Sequence, residues 1–155
     1  MEKYENISDS CKMLWRKNLD VTGKKVTQVS GYVFDDEGKL LIVHNDETNT
    51  WTIPGGHLEP NETREETLTR ELMEEACVTL KDINYLGAVE VVENETYYQT
   101  RYTAHINEVL PFKQEWEINE RKFVTIDELP KYITWANGVT FRAQVNDSLD
   151  FWKNK

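Results

Sequence analysis

Leu68, Leu72 and Ala76 recur at every fourth residue within TLTRELMEEA, a spacing that gives one stripe of an α-helix and does not suit a strand. Most of what surrounds that stripe is unfit for a core, because seven glutamates lie between Gly55 and Val78. Any fold must therefore bury a narrow apolar edge of this helix and keep its carboxylates outside. Thr63, followed three residues later by Glu66, has the form of a capping box, and the spacing predicts a helix over 64–76. Glu66 and Arg70 stand at the i, i+4 interval that favours an ion pair on the exposed flank. Glu71, Glu74 and Glu75 fall on one side of the same helix, where like charges repel. Either solvent or a bound cation has to relieve them, and for most acidic helix faces it is solvent.

The segments on either side read as strands. VTQVSGYVF and KLLIVHN are β-rich runs joined by the hairpin turn DDEG, and TWTIPGG predicts a short strand ending in a Pro-Gly-Gly turn. In that turn Gly55 and Gly56 are expected to supply unusual backbone angles. After the helix come INYLGAVEVVEN and TYYQTRYTAHINEV with a turn near Asn94, then RKFVTIDELP as a strand followed by a turn or single helical turn at Asp127 to Pro130. Val139, Phe141, Val145, Leu149 and Trp152 predict a C-terminal helix. Residues 1–25 form either a short helix or an edge segment. Strands on both sides of a central helix give an α/β domain with a mixed sheet, and periodicity alone does not order its strands.

A chain of 155 residues suits a single domain, 1–155, with an interior of its own. No apolar run approaches the roughly 20 residues of a membrane span, and the polar N-terminus is unlike a secretory signal. Two cysteines, Cys11 and Cys77, are too few for a disulfide framework and point to a reducing cytoplasm. The net charge of −10 argues against binding duplex nucleic acid, which needs a basic patch. It leaves small phosphorylated substrates open, since a divalent cation reverses the local sign. Carboxylates are hard ligands that suit Mg²⁺ or Mn²⁺.

From Gly56, five residues lead to Glu62 and seven more to Arg70-Glu71; Leu72, Glu74, Glu75 and Val78 follow. This spacing resembles the Nudix box, the loop–helix–loop signature of the Nudix hydrolases. All its fixed positions match across 23 residues except the final glycine, where Cys77 stands. The resemblance implies a Nudix-type α/β/α sandwich with a central mixed β-sheet. It further implies a hydrolase that cuts a pyrophosphate linkage in a nucleoside diphosphate joined to another moiety, with Mg²⁺ or Mn²⁺ as cofactor. By the same resemblance Glu74 and Glu75 are metal ligands, Glu71 is a further ligand or the catalytic base, and the Gly55 carbonyl is a backbone ligand. Gly56, Glu62 and Arg70 then have structural tasks, Glu62 and Arg70 tying the loop to the helix. Relatives often add a carboxylate from a later segment. KQEWEINERKF offers Glu115, Glu117 and Glu120, of which Glu117 best matches that extra ligand or base. A homodimer is common in such families. Two other readings of the same resemblance are a diphosphate isomerase and a regulatory domain that binds a nucleotide without turnover.

Cys77 sits where a helix-terminal glycine would adopt the left-handed conformation. Either the chain accepts a side chain there, at roughly 1 kcal/mol, or the helix runs on. His57 adjoins Gly56 and is within a side chain's reach of a phosphate, although a surface histidine is the commoner case. Trp51, Tyr97, Tyr98, Arg101 and Trp135 are residue types that stack on or grip a base, but most aromatics in such a domain fill the core. The substrate-binding residues are therefore unassigned by sequence.

Overall fold

The computed structural model describes residues 3–114 and 116–154. Nine strands, β1 (Lys3–Ser8), β2 (Cys11–Lys17), β3 (Val26–Phe34), β4 (Leu40–Asn45), β5 (Thr50–Thr52), β6 (Gly55–His57), β7 (Val78–Val92), β8 (Thr96–Val109) and β9 (Ile118–Val124), form one hydrogen-bonded network. Its main path runs β1-β2-β7-β8-β3-β4-β5, with β6 pairing β3 and β9 pairing β4. The β3–β8 pair is parallel and the other pairs are antiparallel, so the sheet is mixed. Three helices complete the fold: α1 (Arg64–Ala76), α2 (Leu129–Tyr132) and α3 (Val139–Lys153).

Side-chain alternation along two central strands explains the layering. Val29 and Val33 of β3 and Leu41 and Val43 of β4 join Leu68, Leu72 and Ala76 of α1 in one core. Tyr32, Phe34, Leu40 and Ile42 point the other way and meet Phe141 and Val145 of α3. Both faces of the sheet are covered, which makes an α/β/α sandwich. Full burial of Leu68 and Leu72 contributes about 1.5–3 kcal/mol each. That burial fixes the face α1 turns inward, and with it the face that carries the glutamates.

The N-terminal segment is an antiparallel hairpin at the sheet edge, so the edge alternative holds and the helical one does not. Trp15 and Glu5 fasten it to α3. Trp15 Nε1 donates to Asp147 Oδ2 at 2.7 Å, and the Thr140 amide donates to Glu5 Oε1 at 2.8 Å. The second contact replaces a missing cap, because Gly138 at the start of α3 has no side chain to offer.

Helix α1 spans the predicted residues and begins with the reciprocal capping box. Glu66 N donates to Thr63 Oγ1 at 3.1 Å, and Thr63 N donates to Glu66 Oε1 at 2.8 Å. It ends at Cys77, which takes the left-handed conformation with φ 56° and ψ 45° and donates its amide to Met73 O. The chain thus accepts a side chain where glycine is usual. The last turn of α1 carries no cation of its own. Arg121 of β9 supplies one, donating to Ala76 O at 2.7 Å and to Cys77 O at 3.3 Å, where positive charge opposes the helix dipole. Cys77→Gly is expected to shift stability by no more than about 1 kcal/mol, relief of φ strain offsetting the lost contacts of a buried thiol. Cys77→Val, β-branched at positive φ, should cost roughly 2 kcal/mol more. Urea unfolding of the two variants checks the difference.

Candidate active site

The Pro-Gly-Gly turn expected before α1 is absent. Gly55 and Gly56 lie instead in strand β6, which pairs with β3 through Ser30↔Gly55, Val29↔Gly56 and Gln28↔His57. Neither glycine has a positive φ. The requirement is for close approach: a Cβ on Gly55 would overlap the Val29 carbonyl and the Ser30 hydroxyl, and one on Gly56 would overlap the Glu71 carboxylate. The strand is thereby pressed between β3 and the acidic side of α1.

On that side a cavity of about 350 Å³ is lined by Arg70, Glu71, Glu74, Glu75, Trp116 and Glu117, with Glu59 and Ile118 at its margin. Glu75 accepts the Gly55 amide on Oε1 at 2.8 Å. Burial pushes its carboxyl up to about 8, and the charges of Glu71, Glu117 and Glu74 add to the shift against the Gly55 hydrogen bond. Burial also raises Glu71, opposed by Arg70 and reinforced by Glu74 and Glu117. Glu71 and Glu75 thus both feel the neighbouring carboxylates.

Arg70 organises the mouth of the cavity. Its Nε donates to Glu62 Oε2 at 2.9 Å and its Nη2 to Glu62 Oε1 at 3.1 Å, a bidentate fork. Its Nη1 turns to Glu71 Oε1 at 3.0 Å and Glu74 Oε2 at 3.3 Å. Glu62 also accepts from Thr67 Oγ1 at 3.0 Å, and the Arg70 fork holds its carboxyl below the usual range. These contacts join the loop after β6 to α1. The pair expected between Glu66 and Arg70 does not form; Glu66 is engaged at the cap and Arg70 at Glu62.

Among the described residues no three His, Cys, Asp or Glu side chains are gathered tightly enough to hold an ion by themselves. Arg70 Nη1 lies between Glu71 and Glu74. The donor chemistry still fits a hard divalent cation. All four acidic donors present carboxylate oxygens, they repel one another, and Mg²⁺ takes only one or two carboxylates before completing its shell with water and phosphate.

Glu117 and Glu120 are separated by the structure. Glu117 lines the acidic cavity. Glu120 is exposed on β9, opposite His44, and its charge helps raise the His44 imidazole, whose chief cause is the Asn119 hydrogen bond. Glu115 lies outside the described residues. His57 is exposed on β6 in a separate cleft with Lys25 and Tyr97, away from the carboxylates. Trp51 packs between His44 and Tyr132, and Tyr98 is buried with its hydroxyl on Glu90. Arg101 and Trp135 do share a second cavity, of about 380 Å³, on the α3 side of the sheet. Trp116, unremarked in the sequence, is 80% exposed at the rim of the acidic cavity with φ 56°. Nothing in a lone loop tryptophan signals that position.

Residues 24–144 match the family described as NUDIX domain. A MutT-like protein of Streptomyces ambofaciens is 38% identical over 53 residues, a match that spans about a third of each chain, 34% of this one and 34% of that one. Among solved structures, the Bacillus subtilis pyrophosphohydrolase BsRppH superposes with a TM-score of 0.76 at 17% identity, over 90% of this chain and 91% of that one. A NUDIX hydrolase from Nitrosomonas europaea gives 0.67 at 21% identity, over 80% and 87%. At these identities the structural likeness speaks for the fold.

Proposed function

Because the chain belongs to the Nudix hydrolase family, we propose that it is a divalent-cation-dependent hydrolase cleaving a pyrophosphate linkage in a nucleoside diphosphate that carries a further moiety. The observation that carries this reading is the convergence of Glu71, Glu74, Glu75 and Glu117 on one cavity beside Gly55. The pyrophosphohydrolase activity named for the B. subtilis neighbour accords with it.

Glu74 and Glu75, with Glu71, Glu117 and the Gly55 carbonyl, are the donors for Mg²⁺ or Mn²⁺. Bound there, the cation supplies charge neutralisation for the phosphoryl oxygens and acidifies a water. The chain's own residues do the rest. Glu75 is oriented by the Gly55 amide. Glu71 is confined by Gly56 and Arg70, so its carboxylate is aimed into the cavity and accepts a proton from the attacking water. Glu117, across the cavity on the β9 side, is the second acceptor or ligand. Arg70 keeps the loop and α1 in register through Glu62.

We further infer that residues 1–155 form one catalytic domain, the N-terminal hairpin being an edge of the same sheet. No helix among the described residues is long and apolar enough to cross a membrane. With Cys11 and Cys77 as free thiols, a reducing cytoplasm is the compartment that fits.

The test is a panel of a nucleoside triphosphate, a nucleotide sugar and a dinucleoside polyphosphate, each assayed for anhydride cleavage with Mg²⁺ and with excess EDTA. Cleavage of at least one substrate that stops on chelation is the expected result. Turnover unaffected by EDTA, or tight substrate binding without any cleavage, counts against the proposal.

A further inference from the structure

The second cavity contains a guanidinium without a carboxylate partner among the described residues. Arg101 projects from β8 to its floor and is ringed by three glutamines and a carbonyl. Its Nε donates to Gln144 Oε1 at 3.1 Å, its Nη2 to Gln99 Oε1 at 3.2 Å, and its Nη1 to Gln28 Oε1 at 3.4 Å and to Thr100 O at 3.2 Å. Burial draws the Arg101 guanidinium below its ordinary value, so holding this charge here has a cost.

The hydrogen-bond chemistry then dictates what the floor displays. Arginine has only donors, so each glutamine must turn its oxygen towards Arg101 and its NH₂ away. The glutamine NH₂ groups around this cation are thereby left to donate elsewhere. Tyr32, Ile53 and Phe141 add apolar wall, and Trp135, 42% exposed, stands at the opening. One acceptor does face the same space: Glu5, whose Oε1 is taken by Thr140 while Oε2 has no hydrogen-bond partner among the described residues. A volume of about 380 Å³ falls in the range of small-molecule sites.

A flat ring with two adjacent acceptors on one edge and donors on another satisfies this arrangement. Of the common bases, guanine shows two acceptors, N7 and O6, on the edge where adenine places a donor beside N7 and cytosine a donor alone. Guanine also carries N–H donors on its other edge, for Glu5. We propose that this cavity is the nucleobase subsite and selects guanine, with the NH₂ groups of Gln28, Gln99 and Gln144, oriented by Arg101, reading the N7/O6 edge. The proposal rests on reading the chain as a nucleotide pyrophosphohydrolase and names the substrate's base. The segment from Thr52 to Gly56 links the two cavities, since Thr52 and Ile53 line this one and Gly55 and Gly56 touch Glu75 and Glu71.

Calorimetric titration with GMP, IMP, 7-deaza-GMP and AMP, in EDTA, tests the subsite without turnover. GMP and IMP should bind comparably, whereas AMP and 7-deaza-GMP, which lose an acceptor, should bind about tenfold or more weakly. Gln99→Glu gives Arg101 the carboxylate it lacks; it should weaken GMP at least about tenfold without lowering the unfolding temperature. Arg101→Lys, which keeps charge but cannot orient all three glutamines, should erase the preference for GMP over AMP. Equal binding of GMP and AMP, GMP affinity untouched by Gln99→Glu, or no binding of any of the four at millimolar concentration overturns the assignment. Selective GMP binding by a protein that hydrolyses nothing leaves the subsite standing and removes the hydrolase. Hydrolysis without base preference does the reverse.

Discussion

Replacing Glu74 and Glu75 together by glutamine is expected to lower turnover by about a thousandfold, the scale on which loss of preorganised charge stabilisation is felt in active sites. The same change should leave the apo protein at least as stable as the parent. Glutamine at 75 keeps an oxygen for the Gly55 amide, and it cannot take up the charge that burial and the neighbouring Glu71, Glu117 and Glu74 disfavour. A purely structural acidic cluster would show the opposite pattern, since nothing would then link these residues to turnover. Thermal unfolding without metal, beside kcat with saturating Mg²⁺, separates the two cases. Loss of activity accompanied by a fall of several degrees in Tm would place these glutamates in the scaffold.

The two glycines of β6 should diverge under the same substitution. Gly55→Ala drives a methyl into the Val29 carbonyl and Ser30, so backbone must move and the β3–β6 pairing opens. A cost of about 3 kcal/mol, roughly 10 °C in Tm, is expected. Gly56→Ala first meets the end of the Glu71 side chain, which can swing away. Its Tm should change little, while kcat drops about a hundredfold because the carboxylate leaves its position. Parallel melts and initial rates distinguish them; equal loss of stability in both would mean that Glu71 is not held by Gly56.

Helix α1 and its cap were legible because local spacing determined them: an apolar stripe, a Thr-x-x-Glu start and carboxylates on the remaining face. The C-terminal helix was legible for the same reason. The glycines misled, since positive φ is the usual reason for a Gly-Gly pair, whereas here the need is for room between β3 and Glu71. That need is tertiary and has no local signature. Arg70 misled as well: an i+4 partner was available at Glu66, but Glu62, eight residues away across the loop, offers a bidentate carboxylate. The choice of Glu117 over Glu120 depended on where β9 begins and how it pairs with β4. Arg101 looked like one of several base-gripping candidates. Only strand β8 beside β3 shows it ringed by glutamines, while Trp51 and Tyr98 prove to be packing residues.

A cation site built from Glu71, Glu74, Glu75 and Glu117 takes up Mn²⁺ in the absence of substrate. Mn²⁺ titration of the parent protein and of the Glu74→Gln/Glu75→Gln variant, followed by the paramagnetic resonance signal of free Mn²⁺, counts the sites and their affinity without any substrate. The parent should remove Mn²⁺ from solution through a saturable site that the variant lacks. Identical titration curves for the two proteins would mean that Glu74 and Glu75 hold no cation.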